Sequence, residues 1–132
     1  MNPPPTKFLK EYRDLEKFDD GSCIKYMRIS MPMMSDRDNV LQVTTKKMDD
    51  GTLLTMRTVE HPAMPEVKKV IRMYNHLVLM VKPKGNNTIM YDFEYANMKG
   101  YLPASLMNMA LASETAKEFK NMMNILYAKQ KK

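Results

Sequence analysis

The sequence predicts an α+β fold, a hairpin-joined antiparallel sheet followed by one long C-terminal helix. Three observations carry that prediction. Segments of alternating polarity, the signature of half-buried strands, recur between Cys23 and Ala96. Turn signals at Asp49-Asp50-Gly51 and Pro83-Lys84-Gly85-Asn86-Asn87 join them. After Pro103 the period changes, and apolar residues return every three or four positions.

Each element follows from its residues. Asn2-Pro3-Pro4-Pro5 is an extended lead. Phe8, Leu9, Tyr12 and Leu15 have spacings that predict a short amphipathic helix. Cys23 to Ser30 reads as a strand, with Cys23, Met27 and Ile29 on one side and Ile24, Tyr26 and Arg28 on the other. Met31-Pro32-Met33-Met34-Ser35-Asp36-Arg37-Asp38 reads as a loop before a strand over Val40–Lys46. Either this loop keeps two strands apart, or it stands at the mouth of a pocket with Arg37 or its neighbours turned inward. Asp-Gly at 50–51 suits a tight reversal by supplying positive φ angles, and Leu53–Val59 is the returning strand. Pro62 and Pro65 break the pattern, because neither can donate to a ladder. Val67–Tyr74 and Leu77–Val81 read as two strands or one bent one. Thr88–Ala96 has the cleanest alternation, Ile89, Tyr91, Phe93 and Tyr95 against Met90, Asp92, Glu94 and Ala96. The total is about six strands. In the last segment Met109, Ala112, Ala116, Phe119, Met123 and Leu126 form one helical stripe that ends near Tyr127. An apolar helix stripe and an alternating sheet each need a partner, and packing one on the other satisfies both.

Composition limits the function. A chain of 132 residues, 44% hydrophobic and 27% charged, fits one globular domain. No run has the apolar length of a bilayer span, and the N-terminus lacks the apolar centre of a secretory signal. The single Cys23 cannot form an internal disulfide; it reads as a buried thiol in a reducing, cytoplasmic setting. The net charge of +6 permits an anionic partner. Its basic residues are dispersed, apart from Lys68-Lys69 and the tail Lys129-Gln130-Lys131-Lys132, and no aromatic-and-glycine run accompanies them. That pattern argues against nucleic acid, while the charge still permits contact with an anionic membrane. The 16 methionines suit either ordinary core filling or a soft surface for varied apolar shapes. His61 and His76 have no second ligand at metal spacing, and no glycine-rich phosphate loop or nucleophile motif occurs. Neither a metal nor a cofactor is expected.

Four segments, in this order, resemble the StAR-related lipid transfer (START) domain. They are Ser35-Asp36-Arg37-Asp38, Arg57-Thr58-Val59-Glu60-His61-Pro62, Val70-Ile71-Arg72, and Met98-Lys99-Gly100-Tyr101-Leu102-Pro103. The sequence departs from the family pattern at Asn97, where Asp is favoured, and at Tyr101, where Trp is favoured. The earlier helices and strands of the family domain have no counterpart here, which implies a fragment or a minimal form. The resemblance implies a START-like helix-grip fold, a curved sheet around the C-terminal helix with a hydrophobic tunnel between them. It places the domain at 19–129, after a lead and short helix over 1–18 and before a basic tail over 130–132.

The activity implied is binding of a single lipid of the sterol, phospholipid or ceramide class, without catalysis, for intermembrane transfer or sensing at a transient, anionic membrane surface. Arg37, Arg57, Arg72, Tyr91, Phe93, Met109, Phe119 and Met123 are the expected tunnel residues, and Met31, Met33 and Met34 the entrance lid. An arginine facing such a tunnel needs a carboxylate, for which Asp92 and Glu94 are candidates. Two alternatives stay open: a helix-grip cyclase or hydrolase using Tyr91, Glu94 or His76 as acid and base, and an interaction module with a filled cavity. With the earlier strands missing, Cys23–Ser30 and Thr88–Ala96 become candidate open edges for a homodimer.

Overall fold

The computed structural model describes residues 8–30, 33–105, 107–108, 116–117, 120–121 and 123–124. The chain divides into two units, Pro5–Lys99 and a second one of Met1–Pro4 with Gly100–Lys132. In the second unit, residues 104–105, 107–108, 116–117, 120–121 and 123–124 are helical. The Met107 amide donates to the Pro103 carbonyl at 3.1 Å, so Pro103 opens the first turn as its fixed φ predicts. Met109, Phe119 and the expected helix end at Tyr127 lie outside the described residues.

The larger unit is one seven-stranded sheet. Its strands are β1 (Leu9–Lys17), β2 (Cys23–Ile29), β3 (Arg37–Met48), β4 (Gly51–Thr58), β5 (Ile71–Arg72), β6 (Tyr74–Lys84) and β7 (Asn87–Asn97). The order is β1-β2-β3-β4-β6-β7, with β5 paired to β3. All pairings are antiparallel except β3 with β5.

The first departure from expectation is β1, which is a strand rather than a short helix. Its register with β2 slips between Leu9 and Glu11 and again between Asp14 and Glu16. Each bulge inserts one residue and turns a spacing of two into three. The first bulge puts Leu9 and Tyr12 on one face at a spacing of three, and the second falls at Leu15, which packs on the opposite face against Ile24, Tyr26 and Val40. Because β1 covers β2, Cys23–Ser30 is not an open edge; among the described residues the outer strands are β1 and β7.

The second departure is the start of β3. Arg37, Asp38 and Asn39 belong to the strand, opposite Ile29, Arg28 and Met27 of β2. On its other side β3 meets β4 only as far as Leu41, which faces Thr58. Beyond that point the Val59 amide donates to the Val40 carbonyl at 2.9 Å. The Ile71 and Met73 amides then donate to the Asp36 and Asp38 carbonyls, each at 2.9 Å. The short parallel β5 thus satisfies backbone groups that β4 leaves behind.

The third departure concerns Gly51. Both hairpin turns form where expected, with Met48 opposite Gly51 and Lys84 opposite Asn87. Gly85 has the positive φ, +59°, that its turn needs, whereas Gly51 is not among the positive-φ residues. A Cβ on Gly51 would fall on the Val81 carbonyl oxygen, so close approach of β6 is the reason for glycine there.

Candidate functional site

Directly opposed residues of an antiparallel sheet share a face. One face carries Arg13, Tyr26 and Val40 in one row, and Gln42, Arg57, His76 and Tyr95 in another. The other carries Met27 opposite Asn39, Leu41 opposite Thr58, and the row Val43, Met56, Leu77 and Glu94. Tyr26 and Asn39 name the two faces below.

On the Tyr26 face, Ile24, Tyr26 and Val40 form a buried cluster against which Leu15, Val59 and Met64 pack. Arg13 stacks over the Tyr26 ring at 5.6 Å and donates to the Met64 sulfur at 3.4 Å. The segment after β4 therefore covers this end of the sheet. It also borders a cavity of about 560 Å³, whose walls include Thr58, Val59, Met64, Arg72, Met73 and Tyr74. That volume is within the usual range for small-ligand sites.

A polar cluster stands beside the cavity. Arg72 donates to both oxygens of Asp38, at 2.7 and 3.1 Å, and to the Met64 carbonyl at 3.2 Å. The Tyr26 hydroxyl donates to Asp38 at 3.2 Å. Burial, and then the Asp38 charge, push the Tyr26 hydroxyl up to about 12. The hydrogen bond to Asp38 raises the Arg72 guanidinium further above its ordinary value. The carboxylate partner expected for an inward arginine is thus Asp38, not Asp92 or Glu94. The sequence reading missed it because β3 begins three residues earlier than its apolar pattern.

Arg37 is 1% exposed. Its guanidinium donates to the carbonyls of Ser35 at 2.5 Å, Lys99 at 3.2 Å and Met98 at 3.4 Å. Those bonds tie the start of β3 to the chain after β7, and they leave neither a carboxylate pair with its sequence neighbours nor a free fork for a phosphate. Asp36 pairs instead with Lys10 and Arg28, and Lys10 first, then Arg28, holds its carboxyl below the ordinary range.

The other expected strand residues, Arg57, Tyr91 and Phe93, share one face of the sheet. Arg57 lies on the Tyr26 face, exposed, with two bonds to the Gln42 side-chain oxygen at 2.8 and 3.0 Å. Tyr91 and Phe93 lie on that face too, opposite Met80 and Val78, and Phe93 is 68% exposed. Tyr91 and His76 are separated by the sheet from Glu94, so these three do not converge as acid and base. Met33 is 95% exposed with φ +59°, Met34 is half-buried, and Met31 lies outside the described residues. Met123, in the other unit, is helical and half-buried.

The Asn39 face is the more lipid-like surface. Val43, Leu54, Met56, Leu77 and Leu79 form a half-buried apolar stripe across three central strands. Asn39, Thr58 and Asn75 close one end of it. Thr58 donates to the Asn39 side-chain oxygen at 2.8 Å, and the Asn75 amide donates to Thr58 at 2.8 Å. Sequence reasoning did not single out this group. The signal was present, since Leu54-x-Met56-x-Thr58 and Asn75-x-Leu77-x-Leu79 both turn polar at the same end. Among the described residues no cluster of acidic, His or Cys side chains could hold a metal ion.

Comparison with known proteins agrees with this architecture. The START domain model matches residues 7–132. StAR-related lipid transfer protein 5 of Mus musculus is 31% identical over 98 residues, covering 70% of this chain and 46% of its own length. The solved human StAR-related lipid transfer protein 5 superposes with a TM-score of 0.73 at 20% identity, over 89% of this chain and 59% of that one. Human STARD10 superposes with a TM-score of 0.75 at 20% identity, over 95% of this chain and 54% of that one. The chain therefore spans about half the length of the curated relative it matches. With the family model extending from the start of the sheet to the last residue, this chain belongs to the START domain family.

Proposed function

We propose that this domain binds one lipid molecule and carries or senses it at membranes, without covalent chemistry. Membership of a family with lipid-transfer relatives supports this reading. The observation that carries it is the half-buried apolar stripe of the Asn39 face, Val43, Leu54, Met56, Leu77 and Leu79. Such a stripe on a sheet needs an apolar cover, and a lipid chain is one. In this proposal the C-terminal helix supplies the second wall through its apolar stripe, including Met109, Phe119 and Met123. Arg37 and Arg72 act as positioning residues that hold the start of β3, and Met31, Met33 and Met34 form the soft entrance. The lipid class is sterol, phospholipid or ceramide, and the setting is cytoplasmic. Lys68, Lys69 and the tail lysines Lys129, Lys131 and Lys132 attract an anionic membrane.

Transfer of a fluorescent lipid between vesicles tests the proposal. Transfer should exceed the protein-free rate, rise with anionic lipid in the acceptor, and lose that preference at high salt. Replacing Met31, Met33 and Met34 with Ser should slow it while the fold persists. No transfer from vesicles of any of the three lipid classes would refute the carrier reading.

A further inference from the structure

On the Tyr26 face, β7 presents Tyr91, Phe93 and Tyr95 in a row, opposite Met80, Val78 and His76 of β6. Phe93 is 68% exposed and Tyr95 60%. Tyr74, also exposed, meets Tyr95 edge to face with ring centres 6.1 Å apart. The charges of these strands are sorted by face. Asp92 and Glu94 lie on the Asn39 face, opposite Leu79 and Leu77. On the Tyr26 face of β4, β6 and β7 no position is acidic, and Arg57, Lys82 and Lys84 stand there. Lys46 of β3 joins them, opposite Leu53. Lys82 pairs with Asp50 of the neighbouring turn. Arg57 meets only the uncharged Gln42 side chain, and it is exposed, as are Lys46 and Lys84. Contiguous exposed apolar surface with a polar border marks an interaction surface.

We infer that this aromatic and basic part of the Tyr26 face rests on an anionic membrane surface. The charge selects an anionic partner, and a face without carboxylates meets a negative surface without local repulsion. The aromatic residues decide between a bilayer and a protein. A helix or second sheet laid on this face would bury the hydroxyls of Tyr74, Tyr91 and Tyr95, and each would then need a partner. At the headgroup level of a bilayer, water and headgroups supply those partners while the rings reach the apolar boundary, which is why tyrosine concentrates there. A second copy stacked face to face would bring the same cations and be repelled. The two faces of one sheet then divide the work. The apolar stripe of Val43, Met56 and Leu77 lies on the opposite face, so a domain seated this way turns its cargo side away from the membrane that holds it. The seat is also separate from Lys68 and Lys69, which lie in the segment after β4.

The chain has no Trp, so Phe93→Trp puts a single reporter on this face and Val67→Trp puts one beside Lys68-Lys69, both at exposed positions. Each variant is mixed with vesicles of phosphatidylcholine and phosphatidylserine that carry brominated acyl chains. Seating by this face predicts that the emission of Phe93→Trp shifts to the blue and is quenched, and that high salt reverses both. Arg57→Gln and Lys46→Gln should each weaken binding to these vesicles about fivefold, the share of one cation at such a surface. Unchanged binding in both contradicts the inference. Quenching of Val67→Trp with Phe93→Trp unaffected means that docking runs through Lys68 and Lys69; it overturns this inference and leaves the lipid-binding reading intact. A blue-shifted emission of Phe93→Trp before vesicles are added means that protein covers the face, and overturns it as well. Absence of vesicle binding overturns it too, and lipid transfer then judges cargo binding by itself. If Phe93→Trp fails to fold, the tyrosine emission of the unsubstituted chain carries the test. Quenching that Arg57→Gln weakens supports the inference, and absence of quenching overturns it.

Discussion

At the scale of single residues, the informative positions are polar ones where the sheet is most buried. Asp38 serves Arg72 and Tyr26 together; Asp38 and Tyr26 are buried and Arg72 is half-buried. Removing one side of such a pair leaves an uncompensated charge. Asp38→Leu should therefore cost roughly 3–5 kcal/mol, measured by denaturant unfolding. A cost under about 1 kcal/mol would show that Arg72 finds other partners without penalty. Gly51 gives a second prediction. Gly51→Ala forces β4 and β6 apart at the Val81 carbonyl, and should destabilise by about 1–3 kcal/mol. A neutral or stabilising effect would contradict the close-approach explanation. The sequence alone singled out Arg37 and Arg72 as expected tunnel residues. It did not show which partners they take, since Ser35, Met98 and Lys99 offer backbone carbonyls that have no side-chain signature.

At the scale of elements, the strands with regular alternation were legible and the irregular ones were not. β7 and the β3–β4 hairpin follow a period of two without interruption, and their residues pair as their pattern predicts. β1 does not, because two bulges shift its phase. Only the partner strand reveals that phase, and the partner is distant from any local window. The attachment of β1 to β2 also has a pH signature. Asp14 is paired with Lys25, and its carboxyl is lowered from 3.8 to about 2, by Lys25 first and then by Lys17. The folded pKa lies below the unfolded one, so the contribution is complete above about pH 4 and fades as pH falls toward about 2. Asp14→Asn should flatten the dependence of melting temperature on pH in that window. An unchanged slope would detach the pair from stability. At the opposite edge, β7 pairs only with β6 among the described residues, and Tyr91, Phe93 and Tyr95 on it are exposed. We expect this edge to pair with a second copy, giving a doubled mass by light scattering and slow amide exchange along Asn87–Asn97. A monomer with rapid exchange there would contradict that expectation.

At the scale of the whole molecule, the sheet, the buried start of β3 and the apolar stripe of the Asn39 face serve one purpose in this account. The family was legible because Arg37-Asp38, Val70-Ile71-Arg72 and Lys99-Gly100-Tyr101-Leu102-Pro103 mark strand starts and a helix start that the fold constrains. The placement of Tyr91 and Phe93 was not legible, because alternation separates two faces without saying which of them meets a ligand. Native mass spectrometry of the purified protein, released from mild detergent, tests the central claim most directly. The account predicts a population heavier than the apoprotein by the mass of one lipid per chain, shifting to the apoprotein mass on organic extraction. A single species at the apoprotein mass, unchanged after incubation with vesicles of sterol, phospholipid and ceramide, would contradict it.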